Sequence, residues 1–194
     1  MDKTFQKLLQ TDIDLSSLGV ERRTDNEPYF CTPKGASVFG WTGVDGIHFC
    51  FVRGFGGMVF AVSPANTFPN YVHPLAKNFA DFLRLLLACG DVAALEQAWM
   101  GGKAQFETFL QDNPPTQEQQ ETLALVATKL KLMPMERPWA YIKELQASFD
   151  YSKIKYTKEY YDVVDQNAKP AIPEWKVYFE GNFWGHSGKD HAGT

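Results

Sequence analysis

Cysteine is scarce in this sequence, and neither its number nor its spacing suits a covalent or metal-bound framework. The chain has three cysteines without CxxC spacing, which excludes a full set of disulfides and a zinc knuckle. Cys50 lies between two phenylalanines and Cys89 ends an apolar run, so both are predicted to be buried, reduced thiols. Cys31 is the one cysteine for which the sequence leaves a reactive role open.

Long hydrophobic runs are also missing. The longest, residues 82–89, contains Arg84 and stops at Gly90, well short of the ~20 apolar residues that span a bilayer. Residues 1–7 are mostly polar or charged and lack the apolar stretch of a signal peptide. We therefore expect a cytoplasmic protein that does not associate with membranes.

The sequence has no excess of positive charge. Lysine and arginine number 19 against 23 aspartates and glutamates, which gives a net charge of −4. A nucleic-acid-binding surface needs a basic patch, so this balance argues against nucleic acid as a partner.

Motifs of known catalytic and cofactor sites are missing as well. GxSxG, the P-loop, GxGxxG and HExxH do not occur, and the glycine-rich residues 54–57 indicate a hairpin turn because no helix follows them. His186 and His191 flank Asp190 in a glycine-containing terminus, where nothing fixes the geometry that a metal ion needs. We expect no metal, no cofactor and no turnover.

What the sequence does contain is typical of a folded domain. It has 194 residues, of which 44% are hydrophobic and 14% aromatic, too many for a disordered chain and enough for one core. Residues 1–185 are predicted to form a single α+β domain, and residues 186–194 a flexible C-terminal tail.

Short β-branched and aromatic runs predict an antiparallel sheet. The runs lie near residues 37–41, 47–53 and 58–62, and glycine-rich turns separate them, as in hairpins. Residues 174–180 alternate apolar and polar side chains and predict a further strand in the same sheet. A meander is the simplest topology for the first three strands.

The remaining pattern is helical. Phe5, Leu8 and Leu9 predict a short N-terminal docking helix. After Pro64 and Pro69 the pattern becomes helical again, and the N-cap Asn78 begins a helix that Gly90 ends. Further helices are indicated by apolar spacing and caps in segments that begin near Asp91, Phe106, Thr116 and Pro138.

Three residues of the first predicted hairpin are the candidates for a site. Asp45 and His48 could form an imidazole oriented by a carboxylate, for base catalysis or metal binding, although a turn-capping Asp beside a hydrogen-bonded His explains the same spacing. Trp41 adjoins this turn, and tryptophan is enriched at binding hot spots. The alternative for Trp41 is that it closes one end of the core.

One stretch carries a family resemblance. Val38-Phe39-Gly40-Trp41 and two further strands lead into Ala61-Val62-Ser63-Pro64, and after a loop into the Phe- and Leu-rich helix at 78–87. This order resembles the SUKH superfamily, the fold of fungal cell-wall-assembly regulators and of many bacterial immunity proteins. The resemblance implies an antiparallel sheet flanked by helices, no catalytic machinery, and a function in binding another protein.

Two classes of function therefore follow from the sequence. The first is a protein-interaction module whose partner is another protein, with a toxin among the candidates, and whose contact residues include Trp41, Asp45 and His48. The second is a small-ligand-binding protein or a hydrolase with its site near Asp45 and His48. A deep pocket with convergent polar groups would favour the second class, and a shallow surface the first.

Overall fold

The glycine-separated runs form the sheet that the sequence predicts. The computed structural model describes residues 2–23, 27–66 and 70–168. It contains four strands, β1 (Ala36–Trp41), β2 (His48–Val52), β3 (Val59–Val62) and β4 (Val72–Ala76). They pair antiparallel in the order β1-β2-β3-β4, which confirms the meander and the α+β class. The predicted strand at 174–180 lies outside the described residues.

β4 corrects the sequence prediction, which went from Pro69 directly to a helix. The strand contains Pro74 opposite Phe60, and all its residues are buried. Proline lacks a backbone N–H and is tolerated on an edge strand, where no further ladder bond is required. A proline within only five residues hides the strand pattern from the sequence.

The described residues form seven helices, most of which begin at a cap. Asn78 accepts a hydrogen bond from the Asp81 N–H at 2.8 Å, and Thr116 forms a capping box with Gln119, as their positions before apolar runs predict. No described helix is both long and apolar enough to cross a membrane. The helices are α1 (Lys3–Leu9), α2 (Phe79–Cys89), α3 (Val92–Met100), α4 (Lys103–Asp112), α5 (Gln117–Leu130), α6 (Pro138–Ser148) and α7 (Lys158–Ala168).

One face of the sheet carries the larger core. Phe39, Phe49 and Phe82 form part of a ring cluster with centroids 5.3–6.3 Å apart, and Leu86 on α2 is only 1% exposed. Of the three residues predicted to dock α1, Phe5 and Leu8 pack on the core, whereas Leu9 is 43% exposed.

The opposite face is covered by the segment that follows α6. Its residues pack on a second apolar cluster that includes Cys50 and Phe60 of the sheet, and Phe149 contacts Phe60 with ring centroids 5.5 Å apart. Both faces of the sheet are therefore buried. α6 packs against β4 at one edge of the sheet, and β1 forms the other edge. The covering residues are Phe149, Ile154, Tyr156, Tyr160 and Val164.

Candidate functional site

A groove runs along the outer edge of β1. Its volume is about 750 Å³, within the range of protein binding sites. One wall comes from the segment before β1, the opposite wall from the start of α7, and β1 itself forms the base. We call this cavity the edge groove; its main lining residues are Pro28, Tyr29, Phe30, Thr32, Lys34, Ser37, Val38, Thr157 and Glu159.

The backbone of β1 is only partly paired on its outer side. Among the described residues, an isolated bridge joins Trp41 to Glu21 at the end of the strand, with N–H to carbonyl distances of 2.7 and 2.8 Å. The register with β2 shifts between Val38 and Gly40, and such a bulge twists an edge away from indiscriminate pairing. Residues 36–38, in the first half of β1, line the groove, and the Ala36 N–H there donates to the Pro33 carbonyl at 3.0 Å.

Tyr29 is the exposed aromatic side chain of the groove. It is 41% exposed, and its ring stacks over His48 with centroids 5.9 Å apart. Gly46, at φ +68°, lies under the ring, and a Cβ atom there would collide with it. This position therefore requires glycine both for its backbone conformation and for the close approach of Tyr29.

A buried chain of hydrogen bonds fixes the groove wall. The Tyr29 N–H donates to Thr32 Oγ1 at 2.9 Å, and Thr32 Oγ1 lies 3.1 Å from His48 Nε2. His48 Nδ1 lies 2.8 Å from the Gly46 carbonyl. These partners assign a neutral imidazole that donates from Nδ1 and accepts from the Thr32 hydroxyl. Burial lowers the pKa of His48, which also favours the neutral form.

Thr32→Val tests this chain. The substitution removes the hydroxyl and leaves both the Tyr29 N–H and His48 Nε2 without that partner, so we expect the free energy of unfolding to fall by about 1–3 kcal/mol. Urea denaturation measures it, with Thr128→Val on the exposed side of α5 as the matched control. Equal stability of the two variants would show that the hydrogen bonds of the Thr32 hydroxyl do not stabilise the fold.

The three predicted site residues lie close together in the chain but differ in exposure. Trp41 is 3% exposed and His48 is fully buried, with ring centroids 4.7 Å apart. Asp45 is exposed on the turn, at φ +52°. Because both His48 nitrogens have partners other than a carboxylate, the imidazole is held as a structural group under Tyr29. The burial of Trp41 favours the second of its two alternatives, that it closes this end of the core; its part in binding stays a prediction.

The cysteines are placed as small core residues. Cys31, Cys50 and Cys89 are free and buried, and burial raises the pKa of each thiol to about 12. A raised pKa leaves little thiolate at neutral pH, which argues against the reactive role that the sequence left open for Cys31. Within the described ranges, no group of three or more His, Cys, Asp or Glu side chains could hold a metal ion.

Sequence reasoning missed the edge groove because residues far apart in the chain form it. Thr157 lies about 120 positions after Ser37, and no local pattern reports such a distance. The available signal was the Pro28-Tyr29-Phe30 stretch, in which two aromatic residues follow a proline without helical or strand periodicity.

Comparison of the chain with protein-family models, curated proteins and solved structures gives no match.

Proposed function

We propose that this protein is a non-enzymatic protein-interaction module that binds an extended segment of another protein in the edge groove. The observation that carries the proposal is that β1 offers a strand edge to a cavity beside the exposed ring of Tyr29. Extended peptides bind many proteins by adding a strand to such an edge. Backbone hydrogen bonds then supply affinity, and side-chain pockets supply selectivity.

The lining of the groove suits such a segment. Tyr29, Phe30 and Val38 supply apolar surface, and Ser37 and Thr157 supply polar groups along its length. Tyrosine is a frequent hot-spot residue because its ring buries a large area while its hydroxyl keeps a hydrogen bond. The fixed wall beneath Tyr29 lowers the entropy lost on binding.

The resemblance to the SUKH superfamily supports the same class of function. In this proposal the chain acts as SUKH-type immunity or regulatory proteins do, and a toxin is the partner that the resemblance implies. The resemblance rests on the order of β1, β2, β3 and α2, and of these elements β1 lines the groove.

The alternative, a small-ligand or hydrolase site at Asp45 and His48, has weaker support. A general base must come within hydrogen-bond reach of the proton that it abstracts, whereas the His48 ring has no exposed surface and both of its nitrogens are engaged. Asp45 is not one of the hydrogen-bond partners of that ring.

Tyr29→Ala tests the proposal. A partner is first identified by affinity capture from cells that produce the chain, and its affinity is then measured by titration calorimetry. We expect Tyr29→Ala to weaken binding by at least ~30-fold, equivalent to about 2 kcal/mol at a hot spot. Tyr161→Ala is the matched control, because Tyr161 is also an exposed tyrosine, at 53%, and does not line the groove.

Unchanged affinity for Tyr29→Ala, with a normal thermal melt, would place the contact surface elsewhere. An equal loss for Tyr29→Ala and Tyr161→Ala would show a diffuse aromatic contact and would also contradict the groove as the binding site.

A further inference from the structure

A second cavity adjoins the edge groove and has a different character. Its volume is about 600 Å³, and Lys34 and Gly35 line both cavities. Three separate segments of the chain bring four cationic side chains to it: Lys34, Arg53, Lys153 and Lys155. We call it the basic cavity.

The backbone holds these segments in fixed relation to one another. The Lys34 N–H donates to the Lys155 carbonyl at 2.7 Å, and the Arg53 N–H donates to the Gly35 carbonyl at 3.1 Å. Main-chain hydrogen bonds therefore hold together the start of β1, the β2–β3 turn and the segment before α7, which carry the cationic side chains. A backbone that is already ordered lowers the entropy lost when a ligand binds.

The charge in the cavity is largely uncompensated. Lys153 lies 3.6 Å from Asp150, but no described carboxylate lies within ion-pair distance of Lys34, Arg53 or Lys155. The whole chain carries a net charge of −4, so this clustering opposes its average charge. Like charges that share a cavity repel each other, and a bound anion removes that repulsion.

The rest of the cavity wall indicates what kind of anion would fit. Val52 is buried and Phe55 half-buried at its base, and the Phe55 ring packs on Phe60 at a centroid distance of 5.4 Å. Gly54, at φ +98°, has no atom within 4 Å of where a Cβ would lie, so a ligand can approach the turn backbone closely. Arginine and lysine together suit phosphate oxygens.

We infer that the basic cavity binds a small molecule that carries a phosphate group and an apolar or aromatic moiety. The phosphate lies among the four cations, and the apolar part lies on Val52 and Phe55. A volume of about 600 Å³ accommodates a small organic phosphate rather than an inorganic ion alone. The inference does not depend on the edge groove binding a protein, because Arg53, Lys153 and Lys155 do not line that groove.

The test is a titration of the full-length protein with phenyl phosphate at low salt, followed by ¹⁵N NMR. We expect shifts at the backbone amides of Lys34, Gly54 and Lys155, and an affinity that weakens as salt rises. Methyl phosphate, which carries a similar charge but no ring, should bind more weakly than phenyl phosphate, because only the ring can contact Val52 and Phe55. The double substitution Arg53→Gln/Lys155→Gln should weaken phenyl phosphate binding at least tenfold.

The control is Lys129→Gln, which removes an exposed cation on α5 and should leave the affinity within twofold. All substituted side chains are exposed, and thermal melts verify that each variant is folded. Equal binding by the double variant, or shifts spread over lysines throughout the chain, would overturn the inference. Tighter binding of an oligo-glutamate peptide than of phenyl phosphate would overturn it too, and would assign the cavity to an acidic protein segment.

Discussion

Trp41→Ala is expected to lower the free energy of unfolding by about 3–5 kcal/mol, the range for large aromatic residues truncated in a core. Trp41 is 3% exposed, its ring packs on His48, and the Arg23 guanidinium lies 5.0 Å from the ring centroid. Removal of the ring leaves a cavity at the end of the sheet, under Tyr29. Urea denaturation followed by circular dichroism measures the loss.

Asp45→Asn is the control for this prediction, because Asp45 is exposed in the same hairpin and asparagine tolerates its left-handed backbone conformation. We expect its stability to lie within about 0.5 kcal/mol of the parent protein. A loss below about 1 kcal/mol for Trp41→Ala would show that Trp41 is not a core residue, and would restore it as a candidate binding anchor.

Acid is expected to destabilise the fold through His73. This residue is 8% exposed; burial, with a smaller contribution from the nearby positive charge of Lys143, lowers its pKa from 6.5 to about 4. Its Nε2 atom lies 3.2 Å from Asn66 Nδ2, a donor that suits the neutral ring. Between pH 6.5 and 4 the unfolded chain therefore binds a proton that the folded chain does not.

Stability conferred by the neutral His73 is complete above pH 6.5 and is lost as the pH falls towards 4. The loss approaches about 1.4 kcal/mol per pH unit and totals about 3 kcal/mol over the window. His48 contributes in the same direction because burial lowers its pKa as well. Urea denaturation at a series of pH values between 4 and 7 measures the slope.

His73→Gln should flatten that slope, whereas His191→Gln, which removes an imidazole from the predicted tail, should leave it unchanged. If the stability of His73→Gln depends on pH as steeply as that of the parent protein, His73 is protonated as readily in the folded as in the unfolded chain, and the prediction is wrong.

The strands that the sequence predicts correctly share a clear local signal. β1, β2 and β3 are rich in β-branched or aromatic residues, and the glycine-containing turns between them mark where one strand ends and the next begins. β4 lacks that signal because Pro74 interrupts it, and only pairing with β3 reveals the strand. Sequence patterns predict structure from residues that are close in the chain, whereas β4 is recognised as a strand only by its pairing with β3.

The candidate site is less predictable than the fold for the same reason. The sequence places Trp41 and His48 at the first predicted hairpin, but Tyr29, whose ring lies against both of theirs, comes from a different segment. The basic cavity combines Lys34, Arg53 and Lys155, and a net charge of −4 conceals it. The predicted strand at 174–180 lies outside the described residues and stays a prediction.

Hydrogen exchange at the β1 amides tests the central claim, that β1 offers an open edge to a partner segment. The measurement compares the full-length protein alone and in complex with its captured partner. We predict fast exchange in the free protein, and strong protection in the complex, at the β1 amides that face outward beyond Ala36, whose own N–H already donates to the Pro33 carbonyl at 3.0 Å. Slow exchange in the free protein would mean that another part of the chain already occupies the edge, and would contradict the claim. Fast exchange in both states would contradict the edge groove as the docking site.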